Sequence, residues 1–111
     1  MPVFITQGRF TEDAIKGMLA RPEDRAEALG QLLAASGAKS LGYYMTFGEY
    51  DFLIIAEGST EEATTPLIIA AASGGVTNLK TTMALTSGEM KQASEKAGRL
   101  GITFKVAGAK S

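Results

Sequence analysis

The first third of the chain passes from a strand-like segment to apolar positions at helical spacing. Residues 3–10 are rich in β-branched and aromatic types and predict a first strand. Thr11, followed by two acids, predicts the start of a short helix that runs through Leu19. Pro22 suits the first position of a helix, so we expect a helix to restart there and to end at Gly37.

The remainder of the chain repeats this pattern with two further strands before the next helix. The predicted elements are strands over residues 39–47 and 50–57, a helix over 58–73, a strand over 76–85 and a helix over 86–99. Pro66 lies inside the first of these helices, where it predicts either a kink or a later start.

The order of elements is β-α-β-β-α-β, followed by a helix and a tail. This order predicts an α+β, ferredoxin-like fold, in which a four-stranded antiparallel sheet carries two helices on one face. In the third strand Tyr50, Phe52 and Ile54 alternate with Leu53 and Ile55, so both faces are apolar. Each large apolar side chain left in water forfeits about 1.5–3 kcal/mol. We therefore expect a homo-oligomer, with a two-fold dimer through the open sheet face as the commonest solution.

Composition excludes several classes of partner. The 111 residues are 45% hydrophobic and 21% charged with a net charge of −1, which is typical of one globular domain. No basic stripe is present to neutralise phosphates, so we expect no nucleic-acid partner. The longest apolar run, Leu67–Ala72, is too short to span a bilayer, and no signal peptide is recognisable, so we expect a cytoplasmic protein without a membrane partner.

The absence of cysteine and histidine restricts the chemistry further. Without cysteine the chain has no thiolate nucleophile and no disulfide. Without histidine it lacks the commonest base at neutral pH and the commonest metal ligand. Acid–base chemistry would rest on Asp, Glu, Lys, Tyr or the substrate itself. The adjacent acids lie in the first turns of helices, where the helix dipole accounts for them, so no metal site and no cofactor are predicted.

The turn between the second and third strands is the first candidate for a site. Gly48 is expected to supply the positive φ of a tight turn. Asp51 introduces a charge at the start of an apolar strand, which is unusual for Asp. It could act as a base at the rim of a cavity. Alternatively, it could accept backbone N–H bonds at the turn or pair with Arg25 or Lys80.

Four further residues are candidates for ligand binding. Tyr44 and Tyr50 could orient a ligand through their hydroxyls, or they could simply pack. Lys80 and Thr82 are expected to share one face of the fourth strand and could hold a small carboxylate or phosphate. The alternative for this pair is a solvated lysine beside a residue that favours strands.

The turn Gly48-Glu49-Tyr50-Asp51 resembles the GYD-domain family, small bacterial proteins grouped with the dimeric α/β barrels. Residues 4–11, the Arg21–Arg25 entry and the Asn78–Thr82 strand also fit, so the resemblance covers residues 3 to about 92. It implies the fold and a dimeric barrel assembly far more than an activity. We assign residues 1–98 to this domain. Residues 99–111 are an extension, expected to add an edge strand or to close a pocket and then to end in a loose tail.

Three functions follow from the sequence. The first is a non-catalytic module that binds a small molecule or a partner in the cavity between two sheets. The second is a small cofactor-independent enzyme in which Asp51 is the base and Lys80 or a tyrosine steadies negative charge. The third is a structural, self-associating protein.

Overall fold

A computed structural model describes residues 2–108 as an α+β fold. Its elements are β1 (Val3–Phe10), α1 (Glu12–Ala20), α2 (Ala26–Ala35), β2 (Lys39–Met45), β3 (Phe52–Glu57), α3 (Thr60–Ala72), β4 (Val76–Ala84) and α4 (Ser87–Leu100). The four strands form one sheet in the order β2-β3-β1-β4, and the paired strands are antiparallel. The predicted ferredoxin-like strand arrangement is confirmed. Within the described residues, no helix is long and apolar enough to cross a membrane.

The segment after α1 differs from the prediction. Helix α2 begins at Ala26 rather than at Pro22. The N-cap residue, Arg25, makes no side-chain capping bond. Instead, Asp24 Oδ1 accepts a hydrogen bond from Ala26 N at 2.9 Å and so satisfies the first N–H of the helix. The helix layer therefore contains three helices, α1, α2 and α3. The predicted end holds, because Gly37 follows α2 with φ +91°.

Helix α3 runs without interruption from Thr60 through Pro66 to Ala72. Its start is set by a capping box, in which Ser59 N donates to Glu62 Oε1 at 2.8 Å and Glu62 N donates to Ser59 Oγ at 3.2 Å. The expectation of a later start at Pro66 is wrong, because these two bonds fix the first turn upstream of it. Pro66 is fully buried against the core.

The core lies between the sheet and the helices. Phe52, Ile54 and Ala56 of β3 are buried there with Leu33 of α2. The intervening Leu53 and Ile55 point to the other face of the sheet and are half-buried in the single chain. The third strand is therefore apolar on both faces, as its alternation predicts.

Gly8 allows the aromatic part of this core to form. A Cβ at Gly8 would lie 2.6 Å from Phe52 Cζ and 2.7 Å from Leu79 Cδ2. The pairing of β1 with β4 shifts at this point, and Asn78 takes a left-handed conformation with φ 54°. This bulge lies in β4 across from Gly8, the residue of β1 that pairs with Phe52 at the start of β3.

The C-terminal region leaves the sheet. Helix α4 contains no buried residue. Residues 101–106 form no strand within this chain and are exposed, so the predicted edge strand is not part of the chain's own sheet. The predicted loose tail covers residues 108–111, of which 109–111 lie outside the described residues.

Candidate functional site

Asp51 fastens the β2–β3 hairpin to β1. Its Oδ2 accepts a hydrogen bond from Phe10 N at 2.9 Å, and its own N–H donates to Gly8 O at 2.8 Å. Its carbonyl accepts from Thr46 N at 2.9 Å, which closes the hairpin. Of the roles expected for Asp51, the geometry matches the acceptor of backbone N–H bonds. The expected pairing with Arg25 is not formed, since Arg25 Nη1 lies 2.9 Å from Glu23 Oε1.

The turn does not need Gly48 in the way its sequence suggests. Gly48 is absent from the glycines with positive φ, and a Cβ built on it would meet nothing within 4 Å. The expected positive φ is therefore wrong. The turn is held instead by Thr46, whose hydroxyl donates to Tyr50 O at 2.7 Å.

A shallow depression lies beside this hairpin on the open face of the sheet. Its volume is about 360 Å³, and Gln7, Tyr50 and Lys80 line it together with residues 46–49. Tyr50 lies before the start of β3 and contributes to this depression rather than to the buried face. Asp51, Tyr44 and Thr82 are not among the lining residues, so the predicted site residues do not converge on one cavity.

The two candidates on β4 do share a face. Lys80 pairs with Gln7 and Thr82 with Ile5 across β1. Thr81, between them, points to the helix side, where its hydroxyl lies 2.9 Å from that of Thr6. Lys80 and Thr82 therefore lie on the open face, where both are exposed.

A larger cleft lies on the opposite side of the sheet, under the helices. It encloses about 970 Å³, the upper end of the range usual for small-molecule sites. Phe4, Tyr43 and Phe52 form part of its sheet wall, and Met18 and Leu29 part of its helix wall. Its walls are mainly apolar, as in most sites for small organic ligands.

The rim of the cleft is charged but balanced. It is formed by the segment between α1 and α2, which contributes Arg21, Glu23, Asp24 and Arg25. Arg25 is paired with Glu23, and Asp24 caps α2. Two positive and two negative charges therefore lie at the entrance, and neither sign dominates.

Tyr43 is the titratable side chain whose position in this cleft is most distinctive. It is half-buried, and burial raises the pKa of its hydroxyl; Arg25 opposes this shift and Asp24 adds to it. A tyrosine hydroxyl is protonated at neutral pH even at its ordinary pKa, so Tyr43 has a proton to donate to an acceptor in the cleft that it lines. The other hydroxyl on the sheet wall, Thr6, already lies against Thr81.

Sequence reasoning selected Tyr44 and missed Tyr43. The pairing of β2 with β3 shifts between Ser40 and Gly42, and this bulge sets which tyrosine faces the helices. Tyr43 pairs with the buried Ile54, whereas Tyr44 is 59% exposed on the open face. The available signal was the alternation of β3, which would have identified Tyr43 once the hairpin register was known.

Neither cavity is built for metal chemistry. Among residues 2–108, no group of three or more carboxylate, imidazole or thiol side chains is placed to hold a metal ion. The cleft offers apolar surface and one phenol, which is suited to binding and orientation.

Comparison with known proteins identifies the domain. The model of the GYD domain matches residues 4–94. The structure resembles that of TTHA0845 from Thermus thermophilus, with 20% identity, a TM-score of 0.49, and coverage of 78% of this chain and 96% of that one. It also resembles FFRP-DM1, with 16% identity, a TM-score of 0.44, and coverage of 77% and 100%. No curated protein matches the chain.

Proposed function

The chain belongs to the GYD-domain family, and we propose that it binds a small, mostly apolar molecule in the cleft between its helices and its sheet. One observation carries this proposal: a cleft of about 970 Å³ with apolar walls contains a half-buried phenol that can donate a hydrogen bond. Sites for small organic molecules usually combine these two features. This site lies between the helices and the sheet, rather than in the cavity between two sheets that the sequence suggested. We also propose that the protein is cytoplasmic.

The charges around the cleft favour an uncharged ligand. A carboxylate or an ammonium group would gain little from a rim where Arg25 is paired with Glu23 and Asp24 caps a helix. A carbonyl or ether oxygen, by contrast, can accept a bond from the Tyr43 hydroxyl. The ligand class is therefore a neutral apolar molecule with an oxygen acceptor.

The catalytic alternative has less support. Asp51 Oδ2 accepts the N–H of Phe10, and Asp51 lines neither the depression nor the cleft. The depression beside the hairpin contains Tyr50 and Lys80 but not Asp51. This arrangement favours an anchoring role for Asp51.

We also propose that two copies pair through their open sheet faces to form a dimeric α/β barrel. Val3, Ile5, Leu53 and Ile55 lie on this face and are only half-buried in one chain. Complete burial of an exposed large apolar side chain gains about 1.5–3 kcal/mol, so covering these half-buried side chains with a second copy would gain about half of that for each. The cleft lies on the other side of each sheet, so it stays accessible in such a dimer.

A thermal-shift titration tests the binding proposal. Small neutral ketones and ethers of increasing size are added to the wild type, to Tyr43→Phe and to the control Tyr44→Phe. We expect a concentration-dependent rise in melting temperature that is reduced in Tyr43→Phe and retained in Tyr44→Phe, whose hydroxyl is on the opposite face. An equal loss in both variants would contradict the assignment to the cleft.

A further inference from the structure

The C-terminal arm, defined as α4 and residues 101–108, extends away from the rest of the chain. The molecule measures 63 × 30 × 23 Å, and its radius of gyration is 18.5 Å, whereas a compact chain of this length has a radius of about 13 Å. The family match ends at residue 94, within α4, so the second half of this helix and residues 101–108 lie beyond it. No residue of α4 is buried, so the helix does not contribute to the core.

The arm carries an apolar stripe that its own chain does not bury. In α4, Met90, Ala93, Ala97 and Leu100 recur at helical spacing on one side, yet no residue of this helix is buried. A helix of 14 residues is marginal in water without tertiary packing, since isolated helices shorter than about 12–15 residues rarely persist. The stripe therefore needs a partner surface.

The segment after α4 repeats the pattern with a different period. Ile102, Phe104 and Val106 are 77%, 95% and 80% exposed and alternate with Thr103 and Lys105. Alternation of this kind presents one apolar side when the backbone is extended. Both parts of the arm thus offer apolar surface to another molecule.

The junction directs the arm away from its own domain. Only Leu85 separates the end of β4 from the cap of α4. Thr86 N donates to Glu89 Oε1 at 2.9 Å, and Glu89 N donates to Thr86 Oγ1 at 3.1 Å, so a reciprocal capping box holds the first turn. The box therefore fixes the start of α4 directly after β4.

We propose that the arm packs on the domain of a second copy of this chain, and that two copies exchange arms reciprocally. The domain supplies apolar acceptor surface of its own outside the cleft, since Ile68, Met83 and Leu85 are each more than half exposed. Donor and acceptor surfaces on the same chain are both covered when two identical chains exchange them.

The area agrees with a stable pair. Each of the five large apolar side chains on the arm offers roughly 60–120 Å² of apolar surface, so one arm offers roughly 300–600 Å². Two arms, with the surfaces that they cover, would bury roughly 1,200–2,400 Å². A stable specific interface buries about 1,200–2,000 Å².

The absence of cysteine permits a direct test. A spin label is attached to Cys in the full-length variant Lys105→Cys, and its mobility is followed as unlabelled wild-type chain is added. We expect the label to become immobile as total protein rises through the micromolar range. Immobility that is independent of concentration would mean that the arm folds onto its own chain, and mobility at every concentration would mean that nothing covers it; either result overturns the proposal.

Matched substitutions in the labelled chain identify the contact. Phe104→Glu should raise the protein concentration needed to immobilise the label by at least tenfold. Thr103→Glu makes the same change in charge on the polar side and should alter that concentration by no more than about twofold. Equal effects would contradict the proposal. Both residues are exposed, so neither substitution disturbs the core of the single chain, and the ligand titration of the cleft is a separate readout.

Discussion

Asp51 Oδ2 and Phe10 N lie 2.9 Å apart and join the hairpin to the end of β1. Gly8 O and Asp51 N form a second bond two residues away, at 2.8 Å. The signature turn of the chain is therefore fastened to a strand 41 residues earlier in sequence. A carboxylate used in this way stabilises the fold and is less available for chemistry.

Asp51→Ala should destabilise the protein. Removing the carboxylate leaves Phe10 N without its charged acceptor, and such hydrogen bonds contribute about 1.5–3 kcal/mol. Asp51→Asn keeps an acceptor oxygen and should lose about 1 kcal/mol. Urea unfolding measures both, with Glu49→Ala at the exposed turn as the control. Stability equal to the wild type in Asp51→Ala would refute the anchoring role.

Two identical glycine substitutions should act in opposite directions. Gly8→Ala places a methyl group 2.6 Å from Phe52 Cζ and should lower the free energy of unfolding by about 1–3 kcal/mol through overpacking. Gly30→Ala, in α2, meets nothing within 4 Å and should raise it by about 0.5–1 kcal/mol through helix propensity. Thermal unfolding distinguishes the signs, and a Gly8→Ala variant as stable as the wild type would contradict the packing described around Phe52.

The capping box of α3 should contribute a pH-dependent term to stability. Hydrogen bonds from the backbone and side chain of Ser59 hold the pKa of Glu62 below its ordinary value of 4.5. Because the folded-state pKa is lowered, the stabilisation is present above the unfolded-state pKa and is lost as pH falls through the folded-state pKa.

Glu62→Gln isolates this term, since Gln retains the box but does not titrate. The wild type should lose more stability than Glu62→Gln as pH falls from about 5 to about 3. Melting temperatures across this range measure the difference. Parallel pH profiles for the two proteins would show that the Glu62 carboxylate contributes nothing.

The open sheet face should determine how many chains associate in solution. Ile55→Glu places a charge among the apolar side chains of this face, so burying it in a dimer would be costly. Ile15→Glu introduces the same charge on exposed α1 and is the control. We expect light scattering to give a smaller mass for Ile55→Glu at micromolar concentration and an unchanged mass for Ile15→Glu. The same mass in both would exclude the sheet-face dimer.

The sequence predicted the order of elements better than it predicted the site. β1 spans the expected residues 3–10, because a local pattern of β-branched and aromatic residues is enough to define it. The start of α2 was missed because the Asp24 carboxylate, and not the more obvious Pro22, caps this helix. Several neighbouring residues can each favour a helix start to a similar extent, so the first residue of a helix is hard to predict from sequence.

The site depends on relationships that are distant in sequence. The acceptor role of Asp51 requires Phe10, and the choice of Tyr43 over Tyr44 requires the bulge in β2. The cleft depends on how far the three helices stand from the sheet, which no single segment encodes. Gly17 was a weak indication of the cleft in the sequence, since a glycine inside a helix lowers the stability of that helix. In the structure it lines the cleft, and a Cβ there would meet nothing within 4 Å.

Gly17 also provides the most direct test of the cleft as a binding site. Native mass spectrometry compares the purified wild type with Gly17→Phe, which places a ring where the cleft is open, and with Gly30→Phe, a control at an equally unobstructed helix position that does not line it. We predict an additional non-protein mass, or binding of an added neutral ketone, in the wild type and in Gly30→Phe but not in Gly17→Phe. Equal binding by all three proteins, or none by the wild type, would contradict the account.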